Sequence, residues 1–72
     1  SQDDGIFTLG DALRDMGRLD DAARVYAQVP TNQLPDFYNR LGMIEAQRAN
    51  FAVSIQYFEQ ALTVVPDDEP LL

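Results

Sequence analysis

The stretch "RLGMIEAQ", residues 40–47, places the pair Leu41-Gly42 inside a segment that otherwise has the pattern of an α-helix. A glycine in a helix interior is about 1 kcal/mol less favourable than alanine, so a contact elsewhere in the fold has to offset it. The same pair occurs as Leu9-Gly10 in "IFTLGDAL", residues 6–13. This recurrence indicates that the chain contains one unit twice.

An internal repeat becomes visible when Gly10 is aligned with Gly42, at an offset of 32 residues. Apolar or small residues then coincide along both halves of the chain. The aligned pairs are Ile6 and Tyr38, Leu9 and Leu41, Leu19 and Phe51, Ala22 and Ser54, Tyr26 and Phe58, and Val29 and Ala61. The sequence therefore predicts two copies of one supersecondary unit.

Each unit is predicted to be a hairpin of two helices. Apolar residues at helical spacing predict helices over residues 3–16, 20–29, 36–48 and 52–65. Gly17 and Asn50 follow the first helix of each unit, and we expect both to take the left-handed conformation that ends helices. Pro30 and Pro66 are expected to end the second helices.

A close approach of the two helices in each hairpin explains the glycines. A residue without a Cβ atom lets a bulky side chain of the facing helix lie against the backbone. We therefore expect Tyr26 to pack on Gly10 and Phe58 to pack on Gly42, which offsets the low helix propensity of glycine.

These motifs resemble the tetratricopeptide family, whose repeat of about 34 residues has the pattern W-x2-L-G-x2-Y, then A-x3-F and then P. The matching residues are Ile6, Leu9, Gly10, Leu13, Ala22 and Tyr26 in the first unit and Tyr38, Leu41, Gly42, Phe58, Ala61 and Pro66 in the second. The departures are the offset of 32 residues, Glu45 in place of an aromatic residue and Ser54 in place of alanine. Another family of helical-hairpin repeats is the alternative.

The resemblance implies an all-α fold. Two antiparallel helix-turn-helix hairpins, residues 1–34 and 35–66, would stack as a short right-handed α-solenoid. Residues 67–72 would be the start of a truncated third repeat or a tail.

The resemblance also implies a binding groove, because the first helices of successive repeats in this family line a concave surface. That surface often binds an extended peptide or a helix of a partner protein. Carrying the groove positions over to this chain gives Phe7, Thr8, Asp11, Arg14, Asn39, Arg40, Met43 and Gln47. An aromatic residue, a methionine, amides and both charge signs suit a peptide held by hydrogen bonds and one or two apolar anchors. The alternative for these residues is a solvated face without a partner.

One known activity of the family, the clamp for C-terminal carboxylates, is not implied. Phe7 and Asp11 stand where the first repeat of that clamp has lysine and asparagine, and this chain has no lysine.

Five arginines are the only basic residues of the chain. Each follows an acidic residue by three or four positions, a spacing that supports surface helices by about 0.2–0.5 kcal/mol per pair. Four of the five are expected to do no more than this. Arg40, four positions after Asp36, is expected to have a further role because it is predicted to project into the groove.

The composition argues against several other functions. The 72-residue chain has a net charge of −7, which disfavours binding to nucleic acid and to anionic lipid and permits a basic partner. It has no apolar run long enough to insert into a membrane. It contains no Cys, His or Lys, and an open helix stack offers no pocket in which a carboxyl pKa would be shifted. We therefore predict neither an enzyme nor a bound cofactor.

A metal site is not predicted either. The adjacent acidic residues at 3–4, 20–21 and 67–69 lack the loop spacing with which proteins bind calcium, and they are interpreted as helix starts. The compartment is left open, since both the cytoplasm and the periplasm are compatible with the sequence.

The leading hypothesis is a protein–protein interaction module that binds a partner in its concave groove. The alternative is a structural spacer, a cap or a self-association unit of a larger repeat protein. For self-association, the predicted surface is an apolar stripe on the last helix, formed by Ile55, Phe58, Leu62 and Val65.

Overall fold

The computed structural model describes residues 2–29 and 34–63 of the chain, and these residues form four α-helices. The helices are α1 (Gln2–Asp15), α2 (Leu19–Tyr26), α3 (Leu34–Gln47) and α4 (Phe51–Thr63). No strand occurs in this part of the chain. α1 packs on α2, α3 packs on α4, and α2 also contacts α3. The predicted all-α fold of two stacked helical hairpins is confirmed.

The end of α2 differs from the prediction, and the predicted end of the last helix lies outside the described residues. α2 ends at Tyr26, and residues 27–29 form a turn instead of a last helical turn. α4 is described as far as Thr63. Pro30 and Pro66, which were expected to end these helices, lie outside the described residues, as do residues 67–72.

Each hairpin is closed by an aromatic ring lying against a glycine. Gly10 and Gly42 are both buried. A Cβ atom on Gly42 would lie 2.7 Å from Cε1 of Phe58, and a Cβ atom on Gly10 would overlap the ring of Tyr26. Real Cβ atoms essentially never approach other atoms so closely, so both contacts require glycine. The two predicted pairings are confirmed.

The first helix of each hairpin ends in the same backbone motif. Gly17 has a φ of 81° and Ala49 has a φ of 64°. The amides that follow them, of Arg18 and Asn50, donate to carbonyls five residues back at 2.9 and 2.8 Å. This is a Schellman motif. The expectation that Asn50 takes the left-handed conformation is wrong. Ala49 takes it instead, because the offset of 32 residues between the repeats aligns Ala49 with Gly17.

Ser54 stands where the family pattern has alanine, and it is 3% exposed. Its hydroxyl donates a hydrogen bond of 2.7 Å to the carbonyl oxygen of Gly42. A buried hydroxyl without a partner would be unfavourable, so this bond explains why serine is accepted at the position. It also adds a polar contact between α3 and α4 beside the Phe58 ring.

The described core lies where the two hairpins meet. Its buried members are Phe7, Ala22, Tyr26 and Ile44, and they come from α1, α2 and α3. Partly buried apolar residues pack around them: Leu13, Leu19, Ala23, Val29, Phe37 and Leu41. The junction between α2 and α3 is therefore an integral part of the core.

The apolar stripe predicted on the last helix is only partly present. Ile55 and Leu62 are exposed, as expected, by 56% and 81%. Phe58 is a correction: it is only half-exposed because its ring packs on Gly42. Val65 lies outside the described residues. Phe51, which was not included in the stripe, is also exposed.

Within residues 2–29 and 34–63, no helix combines the length and the apolarity needed to cross a bilayer.

The close contact of Phe58 with Gly42 predicts that Gly42→Ala lowers the free energy of unfolding by about 1–3 kcal/mol, since it overfills a packed site. Gly5→Ala is the matched control, because Gly5 also lies within a helix, α1, and a Cβ there would meet nothing within 4 Å. The control should raise stability by about 0.5–1 kcal/mol through helix propensity. Denaturant unfolding measures both. Equal effects of the two substitutions would disprove the close-packing explanation.

The left-handed conformation of Ala49 predicts that Ala49→Gly stabilises the protein by about 1 kcal/mol, because an L-residue is strained there and glycine is not. Ala12→Gly places the same change in the interior of α1 on an exposed residue. That control should destabilise by about 1 kcal/mol. Thermal unfolding distinguishes the two signs, and a loss of stability in Ala49→Gly would contradict the assignment of the helix end.

Candidate functional site

The candidate binding surface, here called the inner face, is formed by α1 and α3. It comprises Thr8, Asp11 and Arg14 of α1 and Asn39, Arg40, Met43 and Gln47 of α3. Thr8, Asn39, Met43 and Gln47 are exposed, whereas Asp11, Arg14 and Arg40 are half-buried. Asn39, Met43 and Gln47 are four residues apart, so they follow one another along one side of α3.

Asp11 is the centre of the polar contacts on the inner face. Nε and Nη2 of Arg40 donate to its two carboxylate oxygens at 2.9 and 3.2 Å. The hydroxyl of Tyr26 donates to the same carboxylate, and Nη1 of Arg14 lies 3.6 Å from it. The carboxylate thus links α1, α2 and α3, and the two-point contact with Arg40 fixes both the distance and the angle between the hairpins.

Arg40 also covers an aromatic ring of the first hairpin. Its guanidinium carbon lies 4.0 Å from the ring centroid of Phe7, within the range of a cation–π contact. Phe7 is 7% exposed, and its ring centroid is 6.2 Å from that of Tyr26. Phe7 was expected to lie open on the inner surface. The structure corrects this: Phe7 belongs to the core, because Arg40 and Tyr26 enclose its ring.

Arg14 brings the methionine of α3 into contact with α1. Its Nη1 atom lies 3.5 Å from the sulfur of Met43 and 3.4 Å from the hydroxyl of Tyr26. The side chain of Arg14 is largely buried by these contacts and by the nearby Asp11. As a result, Met43 is held at the boundary between the hairpins while part of its surface stays open to solvent.

The environment of Asp11 favours its charged form. Partial burial would raise its pKa, but hydrogen bonds from Arg40 and Tyr26, together with the charges of Arg40 and Arg14, outweigh this and place the pKa below the ordinary value of 3.8. Burial and the hydrogen bond to Asp11 raise the pKa of the Tyr26 hydroxyl, so it stays a donor. Burial opposes the charge of Arg40, but the Asp11 carboxylate still raises its pKa.

A depression of about 360 Å³ lies at one end of the inner face. It is lined by Arg14, Asp15, Met43, Ala46, Gln47 and Phe58. Asp15, Ala46 and Phe58 were not among the residues predicted to line the groove, although Phe58 was predicted to pack on Gly42 and to belong to the self-association stripe. Asp15 follows Asp11 by four positions and Ala46 follows Met43 by three, so the helical spacing contains the information that would have added both residues.

Glu45, which stands where the family pattern has an aromatic residue, lies at the closed end of the second hairpin. Its carboxylate accepts hydrogen bonds from Arg48 at 3.2 Å and from the side chain of Asn50 at 2.9 Å. It therefore supports the turn after α3 and leaves the inner face free of an additional charge.

Among the described residues, no three His, Cys, Asp or Glu side chains are grouped so that they would hold a metal ion. The groups that the inner face offers to a ligand are the hydroxyl of Thr8, the amides of Asn39 and Gln47, and the thioether of Met43. These groups are suited to hydrogen bonds and apolar contacts with a polypeptide.

Two hairpins with the same glycine contact and the same helix-ending motif define a helical-hairpin repeat protein. A family model described as "Tetratricopeptide repeat" matches residues 35–68, which include α4 and all but the first residue of α3. Residues 35–68 therefore carry a tetratricopeptide repeat, which confirms the resemblance noted in the sequence. A search of the curated proteins and a search of the solved structures found no significant match. The boundaries predicted at residues 34 and 66 stay predictions.

The contact between Asp11 and Arg40 predicts an energetic coupling between the hairpins. A double-mutant cycle with Asp11→Asn and Arg40→Gln should give a coupling of about 1 kcal/mol at neutral pH, a value that allows for partial exposure of both groups. The control cycle is Asp21→Asn with Arg24→Gln, a pair within α2 whose arginine is 73% exposed, and its coupling should be smaller. Equal couplings would show that the inter-hairpin pair has no special role.

The same coupling should depend on pH with a definite sign. Because the pKa of Asp11 is lower in the folded than in the unfolded chain, its contribution to stability is complete above the ordinary value of 3.8 and is lost as the pH falls through the lowered value. Urea unfolding from neutral to acid pH should therefore show a constant coupling above about pH 5 and a decline below about pH 4. A coupling that persists in acid would contradict an ion pair.

Proposed function

We propose that the inner face binds an extended peptide or a helix of a partner protein, so that the chain acts as a protein–protein interaction module. Tetratricopeptide repeats generally mediate interactions between proteins and are generally not catalytic, and this chain carries one. The observation that supports the proposal most is the exposed row of Asn39, Met43 and Gln47 on α3.

The chemistry of this row suits a polypeptide. The side-chain amides of Asn39 and Gln47 each offer a donor and an acceptor, so they can pair with the backbone of an extended peptide. Met43 lies between them and is adaptable in shape, which suits an apolar anchor residue of varied size. Thr8 of α1 adds a hydroxyl group on the opposite side of the same surface.

The half-buried charges of the inner face have a positioning role in this proposal. Asp11 and Arg40 are bonded to each other, and Arg14 lies against Asp11 and Met43. They hold α1 and α3 at a fixed distance, and a rigid surface loses less entropy when it binds a peptide. The exposed carboxylate of Asp15 beside the depression and the net charge of −7 favour a partner with basic residues.

Peptides selected on the protein itself test the proposal. They are taken from a random library on the immobilised chain, and their binding is measured by NMR titration and calorimetry. Asn39→Ala with Gln47→Ala removes two hydrogen-bonding groups, each worth about 0.5–1.5 kcal/mol, so the Kd should rise by about fivefold to about 150-fold. Both residues are exposed, and the helical circular dichroism should be unchanged.

The matched control makes the same chemical change on α4, where Gln56 and Gln60 are also exposed and four residues apart. Gln56→Ala with Gln60→Ala should leave the Kd unchanged. The proposal is overturned if the control weakens binding while the inner-face variant does not, or if the selected peptides shift resonances of α2 and α4 only.

A further inference from the structure

The junction between α2 and α3 has exposed counterparts on the two outer sides of the described structure. Residues 32 positions apart are equivalent in the two hairpins, so α4 is the equivalent of α2 and α1 is the equivalent of α3. Inside the chain, α2 covers α3. On the outer sides, the equivalent surfaces of α4 and α1 are exposed in the described structure.

The difference in burial is clear on the α1 side. Ile44 is 1% exposed and Leu41 is partly buried in the core cluster. Their equivalents, Ala12 and Leu9, are both exposed, Leu9 by 54%. We call the surface formed by Gly5, Leu9, Ala12 and Met16 the α1 face.

The same difference occurs on the α4 side. Leu19 and Ala23 of α2 pack against the core cluster. Their equivalents, Phe51 and Ile55, are exposed, and so is Leu62 on the last turn. We call the surface formed by Phe51, Ile55 and Leu62 the α4 face. Exposed apolar clusters of this kind are typical of surfaces that bind another protein.

The two faces are complementary in size. On the α1 face, Gly5 and Ala12 replace the larger Phe37 and Ile44. On the α4 face, Phe51 and Ile55 replace the smaller Leu19 and Ala23. Where one side of the junction loses side-chain volume, the other side gains it. A depression of about 490 Å³ beside Gly5 and Leu9 is open to receive a side chain.

The two faces also match in polarity. Inside the chain, Arg48, which directly follows α3, pairs with Asp20 of α2. The equivalents of this ion pair are Met16, which directly follows α1, and Ala52 on α4, and neither carries a charge. A further ion pair between the hairpins joins Asp11 and Arg40. The equivalents of these two residues are Met43 and Thr8, which carry no charge. Bringing α4 onto α1 therefore leaves no unpaired charge at these positions.

We propose that copies of this chain stack head to tail, with the α4 face of one copy packed on the α1 face of the next in the arrangement of the internal α2–α3 junction. The interface joins two different surfaces, so a dimer keeps one free face of each kind and can add further copies. Of the inner face, only Thr8 and Met43 come to lie at this interface. Stacking therefore joins the inner faces of successive copies into a longer surface.

Complementation between two variants tests the proposal. Ile55→Asp blocks the α4 face and leaves the α1 face intact, and Leu9→Asp does the reverse. By sedimentation over about a hundredfold range of concentration, the parent should form species larger than the 8.1 kDa chain, and each variant should be monomeric. Their mixture should form a dimer with one copy of each, because one intact face of each kind is present.

The control is Val53→Asp, an exposed apolar residue of α4 outside the α4 face. Its equivalent in the first hairpin is Asp21, so the fold tolerates aspartate at this position. The control adds the same charge as the test variants and should associate like the parent.

The competing arrangements give different results. Pairing of two α4 faces would leave Leu9→Asp self-associating and the mixture without a mixed dimer, and pairing of two α1 faces would do the same for Ile55→Asp. Either result, or a parent that is monomeric at every concentration, overturns the proposal. If a test variant loses its helical circular dichroism, the pair Met16→Asp and Leu62→Asp, at two more exposed positions, repeats the experiment.

Discussion

The contact of an aromatic ring with a glycine backbone is the constraint on which the rest of the structure depends. Because Gly10 has no side chain, the ring of Tyr26 lies directly against α1. This contact also places the Tyr26 hydroxyl within hydrogen-bonding distance of Asp11. One residue therefore closes the first hairpin with its ring and orients the carboxylate of the inner face with its hydroxyl. In the second hairpin, the ring of Phe58 packs α4 against α3 at Gly42. Phenylalanine has no hydroxyl group that could orient a carboxylate.

Tyr26 and Phe58 also differ in their surroundings. Tyr26 lies between the two hairpins, where Asp11 and Arg40 meet and a donor is required. Phe58 lies in the second hairpin, where Ser54 donates a hydrogen bond to the carbonyl oxygen of Gly42. The repeated packing contact is thus the same in both units, while the hydrogen bonds around it are adapted to the local neighbours.

The sequence predicted the features that occur twice and was less successful with those that occur once. The glycine contacts could be predicted because two units share them. The left-handed conformation of Ala49 was not predicted. Asparagine prefers that geometry and stands at residue 50, and only the repeat register identifies residue 49 as the equivalent of Gly17. The pairing of Arg40 was missed for another reason. Asp36 is its neighbour at helical spacing, whereas the distant Asp11 forms the hydrogen bonds, and only the stacking of the hairpins brings it close. The burial of Phe7 depends on that same pairing, since Arg40 covers its ring.

The ion pairs between the hairpins define their register as well as their contact. Apolar side chains pack in several registers at similar free energy, but Arg40 meets Asp11 and Arg48 meets Asp20 only in one. A slip of one helical turn, about 5.4 Å, would break both pairs and leave the half-buried Asp11 with its contacts to Tyr26 and Arg14 alone, which is less favourable. The ion pairs therefore act mainly by fixing how the two hairpins are aligned, while burial of the core supplies most of the stability of the fold. Precision matters at this junction because the inner face is built from both hairpins, and its shape follows directly from how α1 and α3 are aligned.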